Sequence, residues 1–134
     1  MAIAAVVLLV LNRPDDSGSN VEIEGVEWQL AELQVDGALQ PAVAGSGTTL
    51  LLDGTMASGS GGCNSFNGAY KRDGSSLTFS PFATTLAICG DPPGTGDQES
   101  RYFALLADVD EYSVMDNQLV LTSDGVALLL FSAE

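Results

Sequence analysis

Histidine is absent from the chain. Its absence removes the commonest general base and the commonest metal ligand. Ser–His and Cys–His nucleophile pairs cannot be assembled from these residues alone. Cations are nearly as scarce. Arg13, Lys71, Arg72 and Arg101 stand against 18 acidic residues, for a net charge of −14. Nucleic-acid binding needs a basic face that displaces counterions, so this balance argues against it, and against docking to anionic lipid headgroups. The acids are scattered rather than run together. They read as solubility, self-repulsion between copies or salt adaptation ahead of the competing reading, a specific cationic partner, and a monomer is expected. Aromatics are few and glycines number 15, a balance that favours short strands and turns.

At 134 residues and 46% apolar content, the chain is one domain with a genuine hydrophobic core. Residues Ala2 to Leu11 are uninterrupted apolar. As a helix they would rise about 15 Å, against a hydrocarbon core of roughly 30 Å, so they do not span a bilayer unaided. Their length fits a signal-peptide core, although no Lys or Arg precedes them. Three readings compete: a truncated signal or membrane tether, a short intact signal, and an extra buried strand. The first two place the domain outside the cytoplasm, in the periplasm or at the cell surface. Residues 12–20 are polar and rich in breakers, which divides the chain into a segment 1–20 and a domain 21–134.

Four Asp-Gly pairs, at 36–37, 53–54, 73–74 and 124–125, lie between apolar or alternating runs and signal hairpins. The pattern predicts strands near 26–35, 38–44, 48–53, 55–61, 66–72, 76–80, 111–115, 118–123 and 126–132. Leu119-Val120-Leu121 and the run from Val126 to Phe131 are nearly continuous, which predicts strands covered on both faces. One helix is predicted at 97–109, capped by Thr95 or Asp97. Its stripe is Tyr102, Leu105, Leu106 and Val109, with Phe103 alongside. The expected fold is α+β, mostly β: a curved antiparallel sheet or partly open barrel with one packed helix.

Residues 59–70 are the densest in information. Gly59, Gly61 and Gly62 suit a tight bend or close backbone approach, and Phe66 and Tyr70 can anchor the strand that follows. Asn64 and Asn67 either satisfy backbone groups at the bend or recognise a ligand. Cys63 and Cys89 are 26 positions apart, which is no CxxC motif, and without histidine they form no typical zinc site. A disulfide, two buried thiols and a reactive thiol remain open. Asp91, Asp97 and Glu99 share a loop region without the spacing of a calcium-binding loop. Asp108, Asp110 and Glu111 offer no distinct hydrolytic pair. No metal or cofactor is expected.

Cys63-Asn64, then Phe66, Gly68 and Tyr70, resemble the signature of the META-domain family, which includes HslJ-like heat-shock lipoproteins. The likeness continues through Thr85-Leu-Ala-Ile-Cys89, Glu99, Phe103, Leu106, Tyr112, Leu119-Val120-Leu121 and Trp28, over about 25–134. It implies a small exported or lipid-anchored envelope domain linked to stress tolerance, with no established catalytic activity. No lipid-acceptor cysteine lies near the start of this chain. Asn64, Asn67 and Thr85 are the ligand-binding candidates. The expected function is non-enzymatic binding of a protein partner or a small apolar ligand. The alternatives are a chaperone-like stabilising factor without a discrete ligand, or a carboxylate-based enzyme. A closed apolar cavity would favour the ligand; its absence would favour surface interactions.

Overall fold

The computed structural model describes residues 22–133. The readings of the apolar segment 2–11 and of the linker lie outside these residues. Ten strands and one helix follow in the order β1 (Glu27–Val35), β2 (Ala38–Pro41), β3 (Thr49–Leu52), β4 (Met56–Ser60), β5 (Ser65–Asp73), β6 (Ser76–Phe79), β7 (Ala83–Thr84), α1 (Thr95–Asp108), β8 (Glu111–Met115), β9 (Gln118–Ser123) and β10 (Val126–Ala133). All strand pairings are antiparallel. Among the described residues no helix is long and apolar enough to cross a membrane.

The sheet runs β10-β9-β8-β6-β5-β4-β3-β1, and the pairing of β10 with β1 closes it into a ring. β1 makes the closure possible by using both edges. One edge takes β10, from Trp28↔Ala133 to Leu33↔Leu129. The other is shared by β3 at Glu27–Gln29 and β2 at Glu32–Val35. Bulges between Leu30 and Glu32 in β1, and between Ala127 and Leu129 in β10, supply the curvature. The thinnest join is β6 to β8, a single pair, Ser76↔Glu111, flanked by Leu77 N–H to Asp110 O (3.1 Å) and Tyr112 N–H to Ser75 O (3.0 Å).

Turn chemistry explains the hairpins. Asp36-Gly37 and Asp124-Gly125 have positive φ at both positions, the mirror-image turn whose twist matches the strands. Asp116-Asn117 adopts the same conformation between β8 and β9 without a glycine, because Asn and Asp tolerate it best among other residues.

The core follows from alternation along the strands. Leu50 and Leu52, Phe66 and Tyr70, and Leu119 and Leu121 all point inward. Each such side chain contributes about 1.5–3 kcal/mol of burial. Trp28 is buried and donates its indole N–H to Ile23 O at 3.0 Å. α1 seats Tyr102, Leu105 and Leu106 on this core, with Tyr102 edge-on to Phe66 and Phe131.

Four details differ from expectation. α1 begins at Thr95 behind Gly94, with no side-chain cap; Thr95 instead donates its hydroxyl to Pro92 O at 2.6 Å. β2 stops at Pro41, short of residue 44: Ala42 N–H still bonds Ala31 O at 2.9 Å, but Val43 N–H turns away from β1 to Gln98 Oε1. β7 is an additional strand, too short to leave a periodic signal. The expected double coverage of the last strands holds only in part. Val120 and Leu130 are half-buried and Val126 is 52% exposed, while the β10 bulge turns both Leu128 and Leu129 into the core.

Candidate functional site

The Gly-rich bend, the start of α1 and the segment after β7 meet at Asn64. Gly61 lets them approach. A Cβ there would lie 2.6 Å from Glu99 Cγ and 2.7 Å from Phe103 Cζ. Gly62 has φ of +116° and packs on Thr95, whose methyl would sit 2.9 Å from an added Cβ. Gly59 faces the Thr49 carbonyl oxygen, and Gly68 faces Phe82. Gly61→Ala is therefore expected to lose about 1–3 kcal/mol by overpacking, read as a lower urea midpoint with an unchanged slope.

Glu99 projects from α1 beneath the bend. Oε2 accepts from Cys63 N–H (3.0 Å) and Asn64 N–H (2.6 Å), and Oε1 accepts from Asn64 Nδ2 (2.7 Å). Both carboxylate oxygens are thus committed to this bend, which separates Glu99 from the loop acids Asp91 and Asp97. The Asn64 amide spends its full capacity here. Nδ2 also donates to Ala87 O (3.1 Å), and Oδ1 accepts from Ala87 N–H (2.6 Å) and Thr85 Oγ1 (2.8 Å). Asn64 therefore substitutes for a strand residue opposite Ala87, giving one backbone unit both its bonds.

Thr85 is brought to Asn64 as a partner, and its hydroxyl also accepts from Ser65 N–H at 3.2 Å. Asn67 is not part of the cluster. It occupies an outward position of β5, between the buried Phe66 and Gly68. A ligand bound by the Asn64 amide would have to displace one of its four bonds. Cys63 and Cys89 form a disulfide, with Cα atoms 5.8 Å apart, so neither thiol is free. The bridge and the Asn64 amide together pin the segment Thr85–Cys89 from both ends.

Leu86 and Ile88 alternate with these pinned residues and stand in water, 92% and 101% exposed. Beside β7, Phe79, Phe82, Phe103 and Ala107 line an open groove of about 450 Å³. Gln98 ties α1 to the other side of the bend, accepting from Val43 N–H (2.6 Å) and donating to Ser46 and Thr48 hydroxyls at 3.0 and 3.1 Å. Sequence reasoning missed Glu99 as the acceptor of the bend and missed the exposure of Leu86 and Ile88. A carboxylate on the otherwise buried stripe of a helix was the available signal for the first. For the second, the Leu-Ala-Ile alternation was visible, but not its direction.

Further along β5, Tyr70 accepts from Gly54 N–H (2.7 Å) and donates to Glu24 (2.5 Å), with Arg72 3.7 Å from the same carboxylate. Arg72 also donates to Tyr112 Oη at 3.0 Å. Burial, and then the bond to Glu24, push the Tyr70 phenol up to about 12. Burial also raises Tyr102 well above its usual value. Raised phenol values stabilise the fold below the unfolded value of about 10, and that stability is lost as pH climbs through the folded values. Stability is expected to fall between about pH 10 and 12, with absorbance at the phenolate band lagging a free-tyrosine control.

The profile of the META domain matches residues 21–134. The chain belongs to the META domain family. This META domain also resembles solved structures. An NMR structure of a protein from Burkholderia xenovorans superposes with a TM-score of 0.69 at 28% identity, over 84% of this chain and 83% of that one. A second NMR structure gives 0.62 at 21% identity, over 87% and 93%. A DUF4847 family protein from Bacteroides vulgatus gives 0.59 at 13% identity, over 82% and 93%, a likeness of fold. No match to this chain is found among curated proteins.

Proposed function

We propose that this META domain is a non-enzymatic binding module of the cell envelope, stress-associated like the family it belongs to, that engages a protein partner through its surface. The observation that carries this reading is where the apolar groups lie. The ring interior is filled by the domain's own Trp28, Tyr102, Phe131 and leucines, while Leu86 and Ile88 are held in water by four side-chain bonds and a disulfide. An apolar pair held outside the core contributes no burial to the domain's own stability and gains it where something else covers it. The disulfide supports an oxidising compartment. The open groove at Phe79, Phe82 and Phe103 supports a second reading, a small apolar ligand.

Fractionation of cells producing the full chain, with thiol alkylation before lysis, tests the location. The expected result is protein in the envelope fraction with Cys63 and Cys89 resistant to alkylation until reduced. Cytoplasmic protein with two reactive thiols would end the envelope reading. Apolar fluorophores titrated onto the oxidised domain separate the two occupants. Saturable binding abolished by Phe103→Asp would favour the small ligand over the protein.

A further inference from the structure

The segment after β7, Thr85–Ile88, lies outside the regular strand but continues its pairing along one edge and leaves the other edge free. Ala83 pairs with Asn67, Thr85 N–H bonds Ser65 O at 3.1 Å, and Ala87 bonds Asn64 through both N–H and C=O. Residues 83, 85 and 87 thus turn their backbone groups towards β5 and its bend. By the period of two, Thr84, Leu86 and Ile88 turn theirs the other way. Among the described residues β7 pairs only with β5, and the N–H groups of Leu86 and Ile88 form no hydrogen bond. Leu86 and Ile88 also project their side chains to one face, both fully in water.

An apolar edge of this kind is normally blunted, because it templates pairing with another chain. Here it is instead stiffened. Asn64 fixes Ala87 and the Cys63–Cys89 bridge fixes the far end, so the edge itself has little left to order when a strand docks. The groove at Phe79, Phe82 and Phe103 opens beside Thr84, where the edge begins, and offers a pocket for one side chain of the incoming strand. The charge of the domain defines the rest. At −14, with Asp91 just beyond the edge, it repels a second copy of itself and attracts cations.

We infer that Thr84–Ile88 is a β-augmentation site for an extended polypeptide segment that alternates apolar side chains and carries Lys or Arg at its ends. This inference rests on the binding-module reading and names its partner class. Backbone pairing supplies affinity and the alternate apolar side chains supply selectivity.

The test is selection of short displayed peptides on the oxidised, folded domain, then titration of the selected peptides by calorimetry and amide exchange. Winners are expected to alternate apolar and polar residues with basic ends, and to slow exchange at Leu86 and Ile88. Leu86→Pro deletes an outward N–H and leaves the inward bonds intact. It is expected to weaken binding about tenfold or more. The double change Leu86→Ser with Ile88→Ser removes the apolar pair without touching the backbone and is expected to weaken binding comparably. Neutral or acidic winners, or binding indifferent to both variants, would overturn the inference. Peptides that map instead to the groove between α1 and the β1–β2 hairpin, near Val35, Val43 and Arg101, would end the edge assignment while leaving a binding module. Recovery of no peptide would end both. An edge-dependent dimer in sedimentation would replace the partner by a second copy and contradict the charge argument.

Discussion

Asn64→Asp is expected to destabilise the domain by about 4 kcal/mol, more than any other single substitution at the bend. The substitution exchanges the Nδ2 donor, 2.7 Å from Glu99 Oε1, for a carboxylate oxygen. Two negatively charged oxygens then face each other in a site where Asn64 and Glu99 are both buried. The Ala87 carbonyl loses its donor as well. Against a total stability of about 5–15 kcal/mol, such a loss leaves a marginal fold. Asn64→Ala removes the same bonds without adding charge and is expected to cost about 2–3 kcal/mol. The order Asp worse than Ala is the diagnostic feature, because Asp preserves volume better. Urea midpoints of the three proteins give that order directly. Equal and mild effects would mean that Glu99 does not oppose Asn64.

The second large effect concerns the Cys63–Cys89 bridge. A loop of 26 residues closed by a disulfide restricts the unfolded chain by about 3 kcal/mol in the chain-entropy treatment. Cys63→Ala should therefore lower the melting temperature strongly in oxidising buffer. The same change should have far less effect when the reference protein is already reduced. At roughly 4 °C or more per kcal/mol for a domain of this size, the difference between the two buffers is well within reach of calorimetry. Equal losses in both buffers would assign the role to packing around the bend instead. The local consequence is separate from the global one. Without the bridge, Ala87 remains tied to Asn64 but Cys89 is released, so amides beyond Ala87 should open first.

Much of the scaffold was legible because its signals are local. The Asp-Gly pairs mark hairpins by turn chemistry that depends on two residues, and alternation in Ser76–Phe79 or Phe66–Tyr70 marks the inward face. The stripe Tyr102, Leu105, Leu106 marks the helix. The bend at 59–64 was legible as a bend because only glycine tolerates its approaches. The partners of that bend were not, since Glu99 and Ala87 lie 35 and 23 residues away from Asn64. No local pattern distinguishes a carboxylate aimed at two backbone N–H groups from one that favours the helix dipole. The start of α1 was misread for a related reason. Thr95 carries a capping side chain, yet its hydroxyl is drawn back to Pro92, and Gly94 takes the capping position with no side-chain bond of its own. The closure of the ring rests on the long-range pairing of β1 with β10, which joins the two ends of the domain.

The same distinction separates the candidate residues. Asn64 and Thr85 share one hydrogen-bonded cluster, while Asn67, three positions from Asn64, faces outward because the strand period carries it to the other side. The cluster is a support. What it supports is the outward edge, and there the chemistry available to a partner is backbone donors, backbone acceptors and two apolar side chains.

Residue-by-residue amide exchange of the oxidised, unliganded domain tests for the pinned strand most directly. The prediction is an alternation along one short segment: slow exchange at Thr85 and Ala87, whose N–H groups bond Ser65 and Asn64, and fast exchange at Leu86 and Ile88. Uniformly fast exchange from Thr85 to Ile88 would contradict it by removing the pinned strand. Protection at Leu86 and Ile88 in the free protein would contradict it equally, by showing the edge already covered.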